Sequence, residues 1–381
     1  MDGQATRGIL RFFGALPDPR AHNVIHKLHD ILVIAVCAVI CGADGWVEVE
    51  EFGLSKQPWF KTFLDLPGGI PSHDTFGRVF ARLQPDAFER CFVAWTTSLQ
   101  STGQRLIAID GKAIRRSFEH AWDTSGMAHL VSAFVDANHG VFAQVAVDDK
   151  SNEIDAIPRL LSLLDLEDAT VTLDALGCQR DVAREVIERG GDYVLAVKAN
   201  QPRLHAKVKA LLDEAILDGF AGMSHGSWRA ADAEGGHGRI ESRRAWVTDE
   251  VRHLGDELLR QWPGLAAIAA VECERETLDS GSRSVERRYF ISSRKGVDAE
   301  AIAAAVRGHW AVENKLHWQL DVSFREDERR IRKDHGAENY SRLCRLALNL
   351  LKRDKTVKIG IHGKRLKAGW DEPYLLRLLT S

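Results

Sequence analysis

Three carboxylates stand where they could hold metal ions. Asp110 and Asp174 each close an apolar run, Leu106-Ile107-Ala108-Ile109 and Val171-Thr172-Leu173, and Glu313 lies in a later helix-patterned segment. The aspartates are 64 positions apart and the glutamate follows 139 positions later. Hard oxygen donors on a rigid frame suit Mg2+ (or Mn2+), which keeps waters and leaves positions open for phosphate oxygens. Two such ions support phosphoryl transfer. Among 54 acidic residues, any one of these acids taken singly reads more readily as a turn or cap residue than as a ligand. Their surroundings separate them. Gly111-Lys112 follows Asp110, combining close backbone approach with a cation for a bound phosphate. His309 and His317 lie four positions either side of Glu313 and Trp310 three before it, so on an α-helix all four share a face. Such a face could bind metal, contact phosphate and stack on an unpaired base. The competing reading, preferred for the tryptophans, makes Trp310 and Leu320 core and the histidines satisfied polar neighbours.

The elements that must position these residues follow from periodicity. Residues 1–100 read as helical: Asp30 is expected to cap an apolar helix that Gly42 and Gly45 end. After Pro67-Gly68-Gly69, a helix capped at Ser72 places Phe76, Val79, Phe80 and Leu83 on one face, with Arg78 and Arg82 outside. This is either a packing unit or half of a helix-turn-helix reader of DNA. From Arg105 the period changes to that of strands: Leu106 to Asp110, His129 to Asp136 and Val141 to Val147, the last two joined by Asn138-His139-Gly140. A helix over 154–166, a strand ending at Asp174, a helix over 179–189 stopped by Gly190-Gly191 and a strand over 193–197 complete a mixed sheet with crossover helices. In such sheets chemistry sits beyond the carboxyl ends of strands, where Asp110 and Asp174 fall. Residues 201–294 break the pattern as an insertion with strand-like runs at 243–247 and 288–291, and one long helix then spans 299–320.

Composition narrows the class. The 381 residues, 45% hydrophobic and 28% charged, suffice for two or three compact units. No secretory leader is evident, and the most apolar run, Ile31 to Ala43, is too short to cross a bilayer. Six scattered cysteines form no CxxC pair and no zinc spacing, as expected of cytoplasmic free thiols. The net charge of −3 hides an uneven distribution: Arg325 to Lys367 holds 14 bases against six acids. That stretch is either a phosphate-binding footprint or a solvated helix face, with nothing in charge alone to choose between them.

Several segments together resemble one family. Ala108-Ile109-Asp110-Gly111-Lys112, Lys150-Ser151-Asn152-Glu153-Ile154, Leu173 to Gln179, Gly190 to Leu195 and Glu313 to Val322 are similar to bacterial insertion-sequence transposases of the DDE class. The match is to the As1 type, also called H-repeat-associated proteins. Asp18-Pro19-Arg20, His26-Lys27-Leu28 and Gly42-Ala43-Asp44-Gly45-Trp46 resemble the helical domain preceding the catalytic core there, so the likeness covers nearly the whole chain. The resemblance implies an α/β fold with a ribonuclease-H-like mixed-sheet core at 101–200 and 297–350. It further implies a β-rich insertion at 201–296, a helical domain at 1–100 and a basic tail at 351–381. It implies a metal triad of Asp110, Asp174 and Glu313, cleavage at element ends and strand transfer into target DNA. The implied partners are terminal inverted repeats, target DNA and a second copy of the chain, in the cytoplasm and on the nucleoid, with no membrane. Relatives often carry Arg four before the glutamate and Lys seven after; here those places are His309 and Leu320. Lys315, Arg325 and Arg330 are substitutes by proximity in sequence, and with Lys112, His309 and His317 they form the expected DNA-contacting set. A metal-dependent nuclease without strand transfer, and a silent DNA-binding regulator, are the alternatives.

Overall fold

A computed structural model describes residues 8–21, 24–99, 105–117, 128–135, 140–147, 153–232, 239–277 and 280–380. The chain divides into two compact units: Met1–Thr102, Gly111–Leu164 and Val312–Ser381 form the first, and Gly103–Asp110 with Asp165–Ala311 the second. The strands in chain order are β1 (Arg105–Ala113), β2 (His129–Val135), β3 (Gly140–Val147), β4 (Ala169–Leu173) and β5 (Asp192–Val197). The remaining four are β6 (His225–Asp232), β7 (Arg239–Thr248), β8 (Ala267–Thr277) and β9 (Arg283–Ser292).

The first unit is mostly helical and centred on Leu28–Cys41, a helix apolar all round and buried from Asp30 to Ile40. No single helix among the described residues is long and apolar enough to cross a membrane. Asp30 does not cap this helix. Leu28 and His29 already carry the turn, so Asp30 is its third residue, and its Oδ2 accepts from the Leu66 amide at 3.2 Å. Gly42 ends the helix at φ +121°, whereas Gly45 opens the next one, Trp46–Ser55. The expected amphipathic helix forms over His73–Arg82, burying Phe76, Val79 and Phe80, with Leu83 buried just beyond and Arg78 and Arg82 exposed. Ser72 holds the cap position, but its hydroxyl lies 3.2 Å from that of Thr75 rather than on the helix amides.

Strands β2 and β3 pair antiparallel from His129↔Val147 to Val135↔Gly140 with a bulge at Ala133/Phe134. The expected turn residues Asn138 and His139 lie outside the described residues. The helix expected over 154–166 runs from Glu153 to Ser162. Residues 351–381 are not a tail. They include the helices Ile361–Trp370 and Glu372–Thr380, and Tyr374, Leu375, Leu378 and Leu379 are buried. The physical reason lies in their bases. The Arg365 guanidinium donates to the carbonyls of Val39 (3.0 Å) and Ile40 (3.3 Å), and Lys364 Nζ donates to that of Leu351 (2.8 Å). Both satisfy carbonyls left over at helix ends.

In the second unit β1, β4 and β5 run parallel, and β9, β8, β7 and β6 continue antiparallel from β5. This is the mixed α/β architecture expected. The segment expected as an insertion begins with the helix Pro202–Leu217 and carries β6 to β9, and the runs at 243–247 and 288–291 fall inside β7 and β9. The helix Ala299–His309 packs on the sheet through Ile302, Ala303, Ala305 and Val306, against Val194, Ala245, Val247 and Phe290.

Candidate active site

The two aspartates are brought together by strand register. β1 and β4 are parallel neighbours paired through Ile109↔Leu173, so Asp110 and Asp174 each follow the last paired residue; Asp174 lies just past the end of β4, whereas β1 runs on to Ala113, three residues beyond the end expected at Asp110. Neighbouring strands in such a sheet lie about 4.8 Å apart. Asp110 is half-buried and Asp174 exposed. The Gly177 amide donates to Asp174 Oδ1 at 3.1 Å, and Gln201 Nε2 donates to the Cys178 carbonyl at 3.0 Å, bracing the loop after β4.

The segment carrying Glu313 differs from expectation. The single helix over 299–320 is instead Ala299–His309, a π-helical turn Val312–His317 and a short helix Trp318–Val322. A π turn bonds i to i+5, so it widens the helix and rotates the residues beyond it. Glu313 is consequently exposed while His317 is only 7% exposed, and the two do not share a face. Glu313 belongs to the first unit and the aspartate pair to the second. Among the described residues no group of three or more His, Cys, Asp or Glu side chains could hold a metal ion. The donor chemistry of the aspartate pair nevertheless suits hard divalent cations.

Of the other expected residues, His309 stands on β4: its Nδ1 lies 3.2 Å from Thr172 Oγ1. Gly308 lets the same helix approach β1, since a Cβ there would lie 2.1 Å from Leu106 Cδ2. Trp310 is 45% and Trp318 54% exposed, so the core reading fails for both, while Leu320 is buried. The Arg288 guanidinium sits 4.9 Å above the Trp310 ring. Lys112 turns toward acids: its Nζ is 2.6 Å from Asp321 Oδ1 and 3.5 Å from Asp327 Oδ1, with the side chain 9% exposed. Burial pushes the Asp321 carboxyl up, against the pull of Lys112. Lys315 is half-buried and its carbonyl accepts from Lys352 Nζ. Arg325, at φ +51°, pairs with Glu328 and with Asp44 Oδ2 (3.5 Å). Arg330 is exposed.

One neighbour escaped the sequence pattern. A Cβ on Gly111 would lie 2.7 Å from Glu153 Oε1, so the Glu153 carboxylate presses on the residue next to Asp110. A glycine directly after a strand-end acid was the available signal; its partner, 42 positions away, had none beyond the family motif.

The profile of the transposase DDE domain family matches residues 101–350, and that of the DDE_Tnp_1-associated domain matches residues 10–96. The chain is 39% identical to the H repeat-associated putative transposase YhhI of Escherichia coli K12, covering 98% of each. It is also 39% identical to the putative transposase YncI of Escherichia coli O157:H7, over 98% of this chain and 95% of that one. Among solved structures, a piggyBac transposase synaptic complex with hairpin DNA aligns with TM-score 0.41 and 8% identity, covering all of this chain and 78% of that one. This protein therefore belongs to the DDE transposase family of H-repeat-associated proteins.

Proposed function

We propose that the protein is a DNA transposase that cleaves at the ends of its element and joins the freed ends to target DNA. The observation that carries this reading is the pair of aspartates that directly follow the paired residues Ile109 and Leu173 on neighbouring parallel strands, in a chain of this family. Asp110 and Asp174, with Glu313, would hold Mg2+ or Mn2+, which when bound activates water and neutralises charge on the phosphate oxygens. The Gly177 amide orients the Asp174 carboxylate, and Thr172 fixes the His309 ring. His309, Lys315, His317, Arg325 and Arg330 are assigned to DNA, whereas Lys112, held by Asp321 and Asp327, acts by keeping its own segment in place.

In the first step a water oxygen bonds to phosphorus, the P–O bond to the 3′-oxygen breaks, and that oxygen leaves with a proton. In the second, the 3′-hydroxyl attacks a target phosphodiester in line, loses its proton and expels the other oxygen. The chain contributes positioning and charge complementarity to both. The ligands are the terminal inverted repeats and target DNA, handled by a homodimer in the cytoplasm and on the nucleoid.

The test uses the full chain, duplexes bearing the inverted repeats that flank its gene, and Mg2+. Asp110→Ala, Asp174→Ala and Glu313→Ala should each lower strand cleavage by at least about 100-fold, since even outer-shell losses at metal sites cost 10–100-fold. End binding should persist. Full cleavage by any one variant removes that residue from the site. Pre-cut ends incubated with supercoiled plasmid should yield joined products; cleavage without joining identifies a nuclease, and binding without cleavage a regulator.

A further inference from the structure

The helix His73–Arg82 and the run Arg330–Lys333, far apart in sequence, meet in the first unit across a cleft of about 550 Å³. Arg78 comes from the helix, and Arg330, Arg332 and Lys333 from the opposite wall. Two carboxylates also line it. Asp44 is neutralised by Arg329 (3.3 Å) and Arg325 (3.5 Å), leaving Asp74 against Arg78, Arg330 and Lys333, while Arg332 Nε donates to the Arg116 carbonyl at 3.0 Å. His73 of the same wall is bonded to Glu50 at 2.6 Å. Trp46, half-buried, forms a rigid part of the lining: its ring stacks on Phe80 at 4.8 Å and meets the edge of Tyr340 at 4.9 Å.

Direction distinguishes these bases from the rest of the basic stretch. Arg329, Arg342, Arg345, Lys364 and Arg365 are buried, on internal carboxylates, carbonyls or a thiol. Arg78, Arg330 and Lys333 are exposed and form no ion pair among the described residues. Arg82, one turn beyond Arg78, is exposed on the same helix and extends the charge along it. Exposed, unpaired cations on both walls of one cleft favour a polyanion, and a run of them along a helix favours a repeating one.

We infer that this cleft is a binding site for the sugar–phosphate backbone of duplex DNA, with Arg78 and Arg82 following one strand and Arg330 and Lys333 gripping it from across the cleft. The choice of DNA rests on the transposase reading; the gathering of unpaired charge does not. Trp46 supplies the flat apolar surface on which a deoxyribose rests. Backbone contacts of this kind fix register on the duplex and carry no sequence information.

The experiment measures binding of the full chain to fluorescein-labelled linear duplex of mixed sequence by anisotropy across a salt series. Each phosphate contact contributes about 0.9 to the slope of log affinity against log salt, so Arg78→Ala/Arg330→Ala should lower that slope by about 1.8. The control Lys355→Ala/Lys358→Ala removes equal charge from exposed positions outside the cleft, and Arg78→Lys/Arg330→Lys should restore most of the slope. A selective loss in the cleft variant supports the site. An unchanged slope, or equal losses in both doubles, overturns it. Metal-dependent cleavage by wild type with the cleft variant unaffected sinks only the cleft; wild type that neither binds nor cleaves DNA sinks the transposase reading itself.

Discussion

Glu326 and Arg345 stand almost wholly out of water, their side chains 2% and 0% exposed, with Arg345 Nη1 2.8 Å from Glu326 Oε1. The Ser341 hydroxyl donates to the same oxygen at 2.7 Å. Burial works against the charge on Glu326, yet Arg345 and then Lys112 outweigh it and hold the carboxyl below its usual range. Such a pair is weak evidence of net stabilisation, because both ions were desolvated to make it. Breaking it is a different matter. Arg345→Met should cost about 3–5 kcal/mol by stranding a buried carboxylate. Glu326→Leu added to it should recover much of that loss, as read from urea unfolding midpoints. Equal stability of single and double variants would show that the carboxylate finds another partner. These bases form the interior of the basic stretch, and their partners explain why charge counting could not sort them. Glu89, on which Arg342 sits, is 253 positions away.

At the scale of elements, the strands carrying the two aspartates were legible because an apolar run closed by a carboxylate is a local pattern, although β1 runs on past Asp110 to Ala113. Parallel pairing of β1 with β4 is then the outcome of ordinary crossover rules. The break after His309 was not legible. Val312 to His317 contains neither Gly nor Pro, and an α period fits its apolar residues well enough to hide the wider turn. The exposed tryptophans were misread for a related reason: a large aromatic on a helix is buried more often than not. Gly111 tests how tightly β1 is held beside the helix that begins at Glu153. Gly111→Ala should displace the Glu153 carboxylate, because the new Cβ would lie 2.7 Å from its carboxyl carbon and Oε1. Misplacements approaching 1 Å cost up to about 100-fold in rate, so cleavage should fall by about 10-fold or more with DNA binding intact. Wild-type cleavage by this variant would free Glu153 and the start of its helix from any part in positioning Asp110.

At the scale of the whole molecule, the net charge of −3 says little, since it sums buried pairs with outward-facing cations. More telling is how the first unit is closed. Asn339 Nδ2 donates to the carbonyls of Phe80 and Leu83 at 2.8 Å, Tyr340 to that of Ala43 at 3.0 Å, and Arg365 to the end of the Leu28–Cys41 helix. The Ile9 amide reaches the Leu379 carbonyl at 3.3 Å. A stop after Arg353 should therefore give aggregated protein by size-exclusion chromatography, even though every proposed metal ligand is retained. A monodisperse, helical product would show that the last two helices are dispensable. The same closure has a consequence during synthesis. The apolar Leu28–Cys41 helix leaves the ribosome early and waits for more than 300 further residues before its last covering side chains emerge. Over that interval, at about 5–20 residues per second, the nascent chain exposes surface that invites aggregation.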